Sequence, residues 1–277
     1  MLKKLHILMF LLCLLPAGAF AKDDVSTFDR VIAKNTIRCG YYLWPPMLEK
    51  DVKTNAFSGV AYDTMEEVGK RLGIKIEWTE EAGLDTLLQG LSGDRYDMVC
   101  APLYALGTRA RAAFFTTPLF YTPLYVVVRD NDHRFDKNLS IVNDPSFKVA
   151  VLEGEATAIL AAQRLPKATL HAVPQMQGYG FVLKDVSMGK ADITFSDEVS
   201  IADFNRNNKE KLRLLKVPFV VNAAAFPVAQ DIKLKEMIST SIDELMRDGW
   251  FINLLETKYP DFKRENFMVA PPYEFSK

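Results

Sequence analysis

The residue types that carry redox, metal or covalent chemistry are few in this chain and poorly spaced for it. Three cysteines (Cys13, Cys39, Cys100) and three histidines (His6, His133, His171) are scattered through 277 residues. No Cys/His spacing forms a metal-ligand set, so His133 and His171 read as solvated or structural side chains. The same scatter leaves no Ser-His-Asp or Cys-His constellation for a hydrolase. No metal and no cofactor is expected. Cys39 and Cys100 form an even pair, which permits one disulfide in an oxidising compartment. Both stand near the ends of predicted strands. A bridge between neighbouring parallel strands is geometrically demanding, so a bond and two buried free thiols both stay open.

The compartment is written at the start of the chain. Met1-Leu2-Lys3-Lys4 is a charged start, residues 5–15 are an apolar run, and Ala19-Phe20-Ala21 is a small-residue cleavage box. Those are the parts of an export signal. The run falls short of the ~20 residues that span a bilayer, so cleavage near Ala21 is expected, with a mature chain from Lys22. Cys13 lacks the preceding small residues of a lipid-attachment site. No later stretch is long and apolar enough to cross a membrane, which argues against an integral sensor or channel. Lys plus Arg number 34 and Asp plus Glu 35, with the signs interspersed. No basic stripe is available for a phosphate backbone, so nucleic acid is not an expected partner.

The elements that must position any site alternate between strand and helix. Residues 36–42 read as a strand, 62–72 as an amphipathic helix, 74–78 as a strand, 84–91 as a helix and 98–101 as a buried strand. This is the pattern of an open α/β sheet with mostly parallel strands, which binds ligands beyond its strand C-termini. Residues 124–128 form a β-branched run followed by the polar stretch 129–138, as if the chain left one lobe for another. The pattern then restarts with a strand at 148–152, helices at 156–165 and 175–188, and strands at 192–195 and 212–217. After Pro218 come a second extended run at 220–229 and helices at 233–247 and 250–259. The expected organisation is a discontinuous lobe 1 (22–128 plus 226–277) and a lobe 2 (129–225), joined by two hinge strands with the site in the cleft between them. The 49% apolar content fills two such cores in a mature chain of about 255 residues. No short internal repeat or low-complexity tract is present.

Several motifs, in order, carry a resemblance that covers nearly all of the mature chain. They are Gly40-Tyr41-Tyr42-Leu43-Trp44-Pro45-Pro46-Met47, Ser58-Gly59-Val60-Ala61-Tyr62-Asp63 and Gly93-Asp94-Arg95-Tyr96-Asp97-Met98. Arg109 then stands nine residues before Pro118 in Thr116-Thr117-Pro118-Leu119-Phe120-Tyr121. Gly154-Glu155-Ala156-Thr157, Gly189-Lys190-Ala191-Asp192 leading to Ser196-Asp197, and Asp248-Gly249-Trp250 follow. The chain resembles the periplasmic amino-acid-binding proteins of bacterial ABC importers, solute-binding protein family 3, with the type II periplasmic binding protein fold.

That resemblance implies roles. Arg109 matches the family's ligand arginine, whose planar guanidinium grips a carboxylate with two parallel hydrogen bonds; the plainer alternative is a surface arginine beside Arg111. Asp197 matches the residue that holds the ligand's ammonium group, and it also suits the N-cap of a following helix. Trp44 matches an aromatic wall, with core packing as its alternative. One of Tyr41 and Tyr42 should face the cleft and the other the core. Ala156 lies in the Gly-Thr-Thr-like turn. Four departures are marked. Val60 replaces a second aromatic wall, Tyr104 replaces a small donor, and Pro102 removes a backbone donor. Glu155 puts a carboxylate at a helix N-terminus that normally receives the ligand's own.

By the same resemblance the protein is expected to be periplasmic and monomeric, to close around an amino acid or a related amphoteric solute, and to be read by a membrane permease. No catalytic residue is assigned. Two alternatives remain: an accessory or sensory periplasmic protein on this fold, and a dehydratase of the cyclohexadienyl type with Glu155 or Asp197 as its acid.

Overall fold

The computed structural model describes residues 25–260; the export segment at residues 1–21, with Cys13, lies outside them. Helix α1 (Thr27–Lys34) leads into strand β1 (Thr36–Tyr41), and a small hairpin, β2 (Glu49–Lys50) and β3 (Phe57–Ser58), precedes α2 (Val60–Leu72). Then come β4 (Lys75–Glu81), α3 (Leu87–Ser92), β5 (Met98–Val99), β6 (Leu103–Tyr104) and β7 (Phe114–Phe115). The long β8 (Phe120–Arg129) carries the chain to β9 (Lys148–Leu152), α4 (Ala156–Arg164), β10 (Thr169–Val173), α5 (Tyr179–Ser187), β11 (Thr194–Ser196) and α6 (Glu198–Asn207). An equally long β12 (Leu212–Ala225) returns it to β13 (Pro227–Val228), α7 (Ile232–Arg247) and α8 (Trp250–Lys258).

The strands form a two-lobed α/β molecule. One sheet has the order β4-β1-β5-β13-β7, with β1 parallel to both β4 and β5. In the other, β11-β8-β12-β6 are antiparallel. The parallel pair β9 and β10 joins this sheet beside β11 through the Val149–Ile193 bridge. The core divides in the same way. Residues from Val31 to Leu124 and from Ala224 to Leu255 share one buried cluster, while Val126 to Leu215 supply two others. Ala156 is the exception, since it comes from the second set yet is buried in the first cluster.

Local chemistry explains the elements. Helix α7 buries Leu234, Ile238, Ile242 and Leu245, one stripe at helical spacing, and Asp231 caps its first turn by accepting from Lys233 and Leu234 N–H groups. Truncating one such residue, Ile238→Ala for instance, removes about 2–5 kcal/mol of stability. Gly40 is required by a close approach, because a Cβ there would sit 2.5 Å from the Tyr96 ring. Cys39 and Cys100 are bonded, 5.4 Å apart at Cα. Cys39 pairs with Met98 in the ladder, so the bridge runs diagonally to a residue just past β5. That offset relieves the geometric objection to linking parallel strands.

The differences from expectation have physical causes. The helix expected over 175–188 is split into a 3₁₀ turn (Gln175–Gln177) and α5, because Gly178 between them has φ +76°. The runs expected separately at 212–217 and 220–229 form one strand through Ala225. Its register shifts on both sides of Pro218, which has no N–H for the ladder. β8 begins at Phe120, four residues before the expected start, with Phe120, Thr122, Leu124 and Val126 alternately buried. Helix α2 starts two residues early, at Val60.

Candidate functional site

Tyr41 and Tyr42 lie at the end of β1 and leave it on opposite faces. Tyr41 packs edge-on against Phe57 and Trp78, with ring centroids 5.0 and 5.9 Å away, and so belongs to the core side. Tyr42 turns the other way. Its hydroxyl donates to the Pro102 carbonyl at 2.8 Å, its ring stacks on Trp44 at 6.3 Å, and Trp44 in turn meets the edge of Tyr104 at 6.0 Å. Pro102 therefore contributes through its carbonyl, the group that proline retains.

Arg109 begins a 3₁₀ turn and is only 8% exposed. Its Nη1 donates to the Tyr104 carbonyl at 3.1 Å, and its Nη2 donates to the Gly154 carbonyl at 3.3 Å. The second contact crosses from the first sheet to the turn before α4. A guanidinium has five N–H donors, so capacity for a carboxylate is left. Gly154 has φ +75°, and a Cβ on it would lie 3.3 Å from the Asp85 backbone nitrogen, so this turn presses on the opposing lobe.

Two carboxylates face the same region. Glu155 is the N-cap of α4, accepting from the Thr157 N–H at 2.7 Å and from the Thr157 hydroxyl. Asp197 is the N-cap of α6 and accepts from the Ser200 N–H at 2.9 Å and its hydroxyl at 2.8 Å. Both retain lone pairs for a further donor. Ala156, fully buried, packs the start of α4 against the first lobe. Val60, at the first turn of α2, is also buried in that core.

The electrostatics tie these groups together. Burial pushes the Tyr42 phenol up, Arg109 opposes the shift and Glu155 adds to it. Burial raises the Tyr104 phenol well above its ordinary value, helped by Asp197 and Glu155. Burial lowers Arg109, and Glu155 resists that. The two tyrosines thus stay protonated as hydrogen-bonding groups.

Four contributors were not among the residues expected. Tyr179 at the start of α5 donates to the Phe195 carbonyl, and burial, with Glu155 and Asp197, raises its phenol. Thr122 on β8 lies beside the Tyr104 hydroxyl. Asn222 on β12 is paired across from Thr122, 4% exposed, and its amide nitrogen has no partner. Ser196, also buried, lies beside Tyr179. The sequence does carry a signal for two of them: Thr122 and Asn222 are polar interruptions of apolar strands, which buried sheets accommodate only with a partner.

The assembled site offers one guanidinium, two carboxylates and a set of aromatic rings, an arrangement that can hold a solute bearing both a carboxylate and an amine. A family model for bacterial extracellular solute-binding proteins, family 3, matches residues 37–260. The chain is 24% identical over 212 residues to the histidine-binding periplasmic protein of Salmonella typhimurium, covering 74% of this chain and 79% of that protein. It is 26% identical over 228 residues to a probable amino-acid ABC transporter-binding protein of Haemophilus influenzae, covering 80% and 83%. Among solved structures, an ancestral amino acid-binding protein described as a precursor of cyclohexadienyl dehydratase has a TM-score of 0.69 at 22% identity, covering 84% of this chain and 99% of that one. An amino acid ABC transporter substrate-binding protein from Streptococcus pneumoniae, bound to L-arginine, has a TM-score of 0.67 at 18% identity, covering 84% and 98%. At these identities the structural likeness establishes the fold.

Proposed function

Since this chain belongs to the bacterial extracellular solute-binding proteins, family 3, we propose that it captures an amino acid or a related amphoteric solute between its lobes and presents it to an inner-membrane ABC permease. It is a solute-binding protein and not an enzyme, which sets the dehydratase reading aside. Arg109 takes the ligand's carboxylate, Asp197 its ammonium group, and Tyr42, Trp44 and Tyr104 line the space between. The lobes are residues 22–128 with 226–277 and residues 129–225. The core clusters change over near these boundaries but a few residues from them, between Leu124 and Val126 and between Leu215 and Ala224. The protein acts as a monomer in the periplasm, exported by the segment that ends near Ala21. Closure follows from population shift: a solute touching both lobes favours the closed state over the open one.

The observation that carries this reading is the buried Arg109 reaching across the cleft to Gly154. Thermal unfolding of the mature protein against amino acids, polyamines, organic acids and sugars tests it. At a hundredfold excess over Kd a true ligand adds about 2.7 kcal/mol, or roughly 5 to 10 °C in Tm. That shift disappears in Arg109→Ala. A panel without any shift overturns the reading.

One observation favours a second reading. Arg109, Glu155 and Asp197 already hold protein partners, as they would in an accessory or sensory protein that has lost small-molecule binding. In that case no solute shifts Tm, and Arg109→Ala leaves binding to the separate partner protein intact.

A further inference from the structure

Two turns of the second lobe close on one loop of the first, residues 83–85 between β4 and α3. The loop is fixed from its own side. The Ala82 N–H donates to the Tyr41 carbonyl at 2.9 Å, and the Thr86 N–H and hydroxyl both donate to the Gly83 carbonyl, at 3.1 and 3.3 Å. The turn before α4 meets the loop through Gly154, since a Cβ there would lie 3.3 Å from the Asp85 nitrogen and 3.5 Å from Leu84 Cβ. The 3₁₀ turn after β10 meets it through Gln175. A Cβ on Gly83 would lie 3.2 Å from Gln175 Oε1 and 3.5 Å from its Nε2.

Gly83 is not among the glycines with positive φ, so its backbone would accept alanine. What the missing side chain provides is room for the Gln175 amide. The Asp85 carboxylate comes within 2.7 Å of the same point, but it ends an exposed side chain that can swing away. Gln175 is partly buried, and its turn is held by hydrogen bonds of 3.0 Å from the Gly178 N–H to the Gln175 carbonyl and from the Gln177 N–H to the Pro174 carbonyl. Both sides of the contact are therefore positioned before they meet. Neither residue belongs to the set of Arg109, Asp197, Tyr42, Trp44 and Tyr104. A contact made when the lobes shut, and made without any atom of the solute, favours the shut state equally whatever lies inside.

We propose that Gln175 is a positioning residue whose amide docks on the bare backbone of Gly83 as a latch between the lobes. The latch sets how long the shut lobes hold any solute and takes no part in choosing it. This rests on the reading that the cleft binds a small solute.

Cross-linking tests the contact, and titration its effect. In the mature chain, where Cys39 and Cys100 are bonded to each other, Gly83→Cys with Gln175→Cys puts one thiol on each side of the latch, and a short bismaleimide joins them within one chain. No such cross-link, with or without solute, overturns the latch. For titration the protein is stripped of co-purified solute by unfolding in guanidinium and refolding, and the probes are the common L-amino acids, spermidine, citrate and D-glucose. For each probe that binds, Gln175→Ala raises Kd by the same factor, about threefold to tenfold, the worth of one partly buried polar contact. The loss lies in faster release, read by stopped-flow, with capture unchanged. Gly83→Ala also weakens binding, and most of that effect vanishes in the Gln175→Ala background, because the two residues act through one contact. A loss that differs from probe to probe makes Gln175 a solute contact and overturns the latch, as does unchanged affinity in Gln175→Ala; solute capture stands in both cases. A cross-link formed in a protein that no probe binds overturns solute capture, and with it the part of the latch in holding solute.

Discussion

Asp97 and Asp197 each adjoin a short buried strand, but at opposite ends. Asp97 immediately precedes β5, is fully buried, and accepts from the Arg38 backbone N–H at 2.7 Å and from the Arg38 guanidinium, with Arg30 paired to it as well. Asp192, two residues before β11, repeats the device in the second lobe: it accepts from the Lys148 N–H at 2.9 Å and pairs with Arg134 at 2.7 Å. Asp197 immediately follows β11, is only partly buried, and is held by Ser200 of its own helix. Carboxylates where strands begin tie neighbouring strands together; those beyond strand C-termini remain available to a ligand, where open α/β sheets place their sites.

The sharpest way to break this contrast is Asp97→Ala. It leaves two arginines without their buried partner, and loss of about 3–5 kcal/mol is expected in denaturant unfolding. A cost below about 1 kcal/mol, the range of a surface pair, would remove the distinction. Next is the covalent tie beside it. Replacing both Cys39 and Cys100 by alanine opens a link across 61 residues and should cost about 2–4 kcal/mol in the same assay.

Asp197→Asn probes the other end of the contrast. Asparagine still caps a helix, so stability should change by less than about 1 kcal/mol, while affinity for the ligand falls about tenfold or more in calorimetry. A large loss of stability with intact binding would put Asp197 in the same class as Asp97.

The smallest effect is one of pH. The Arg134 hydrogen bond holds the Asp132 carboxyl below its ordinary range, against the opposing effect of burial. A depressed pKa in the folded state contributes stability that is present above the unfolded value, about 3.9, and is lost as pH falls through the lower folded value. Asp132→Asn should therefore flatten the stability profile below about pH 4 and leave the slope near neutrality unchanged.

Much of this was legible in the sequence because it rests on local pattern. The β9 strand at 148–152 is legible at its observed bounds, since the four buried residues after Lys148 make a compact apolar run in a parallel pair. Arg109, Asp197 and Glu155 were legible through ordered motifs, and the structure places them about one region. The orientation of Tyr41 against Tyr42 was not, because alternation fixes opposite faces without saying which is the core. Helix α6 is not among the elements expected from the sequence, although Asp197 is recognisable there as a residue suited to cap a helix. Asn222 stands out in the sequence only as a polar interruption of an apolar strand, with no hint that Thr122 lies opposite, and the placement of Tyr179 depends on how Gly178 turns the chain.

The Cys39–Cys100 bond has a consequence for the order of events in the life of the chain. Tyr42 lies three residues after one cysteine, and Pro102, which accepts its hydrogen bond, two after the other. The two loops that build the aromatic wall are therefore fastened together at their roots. In a reducing cytosol those roots are separate thiols. Oxidation therefore joins the two loops covalently, where a reduced chain holds them together by noncovalent contacts alone.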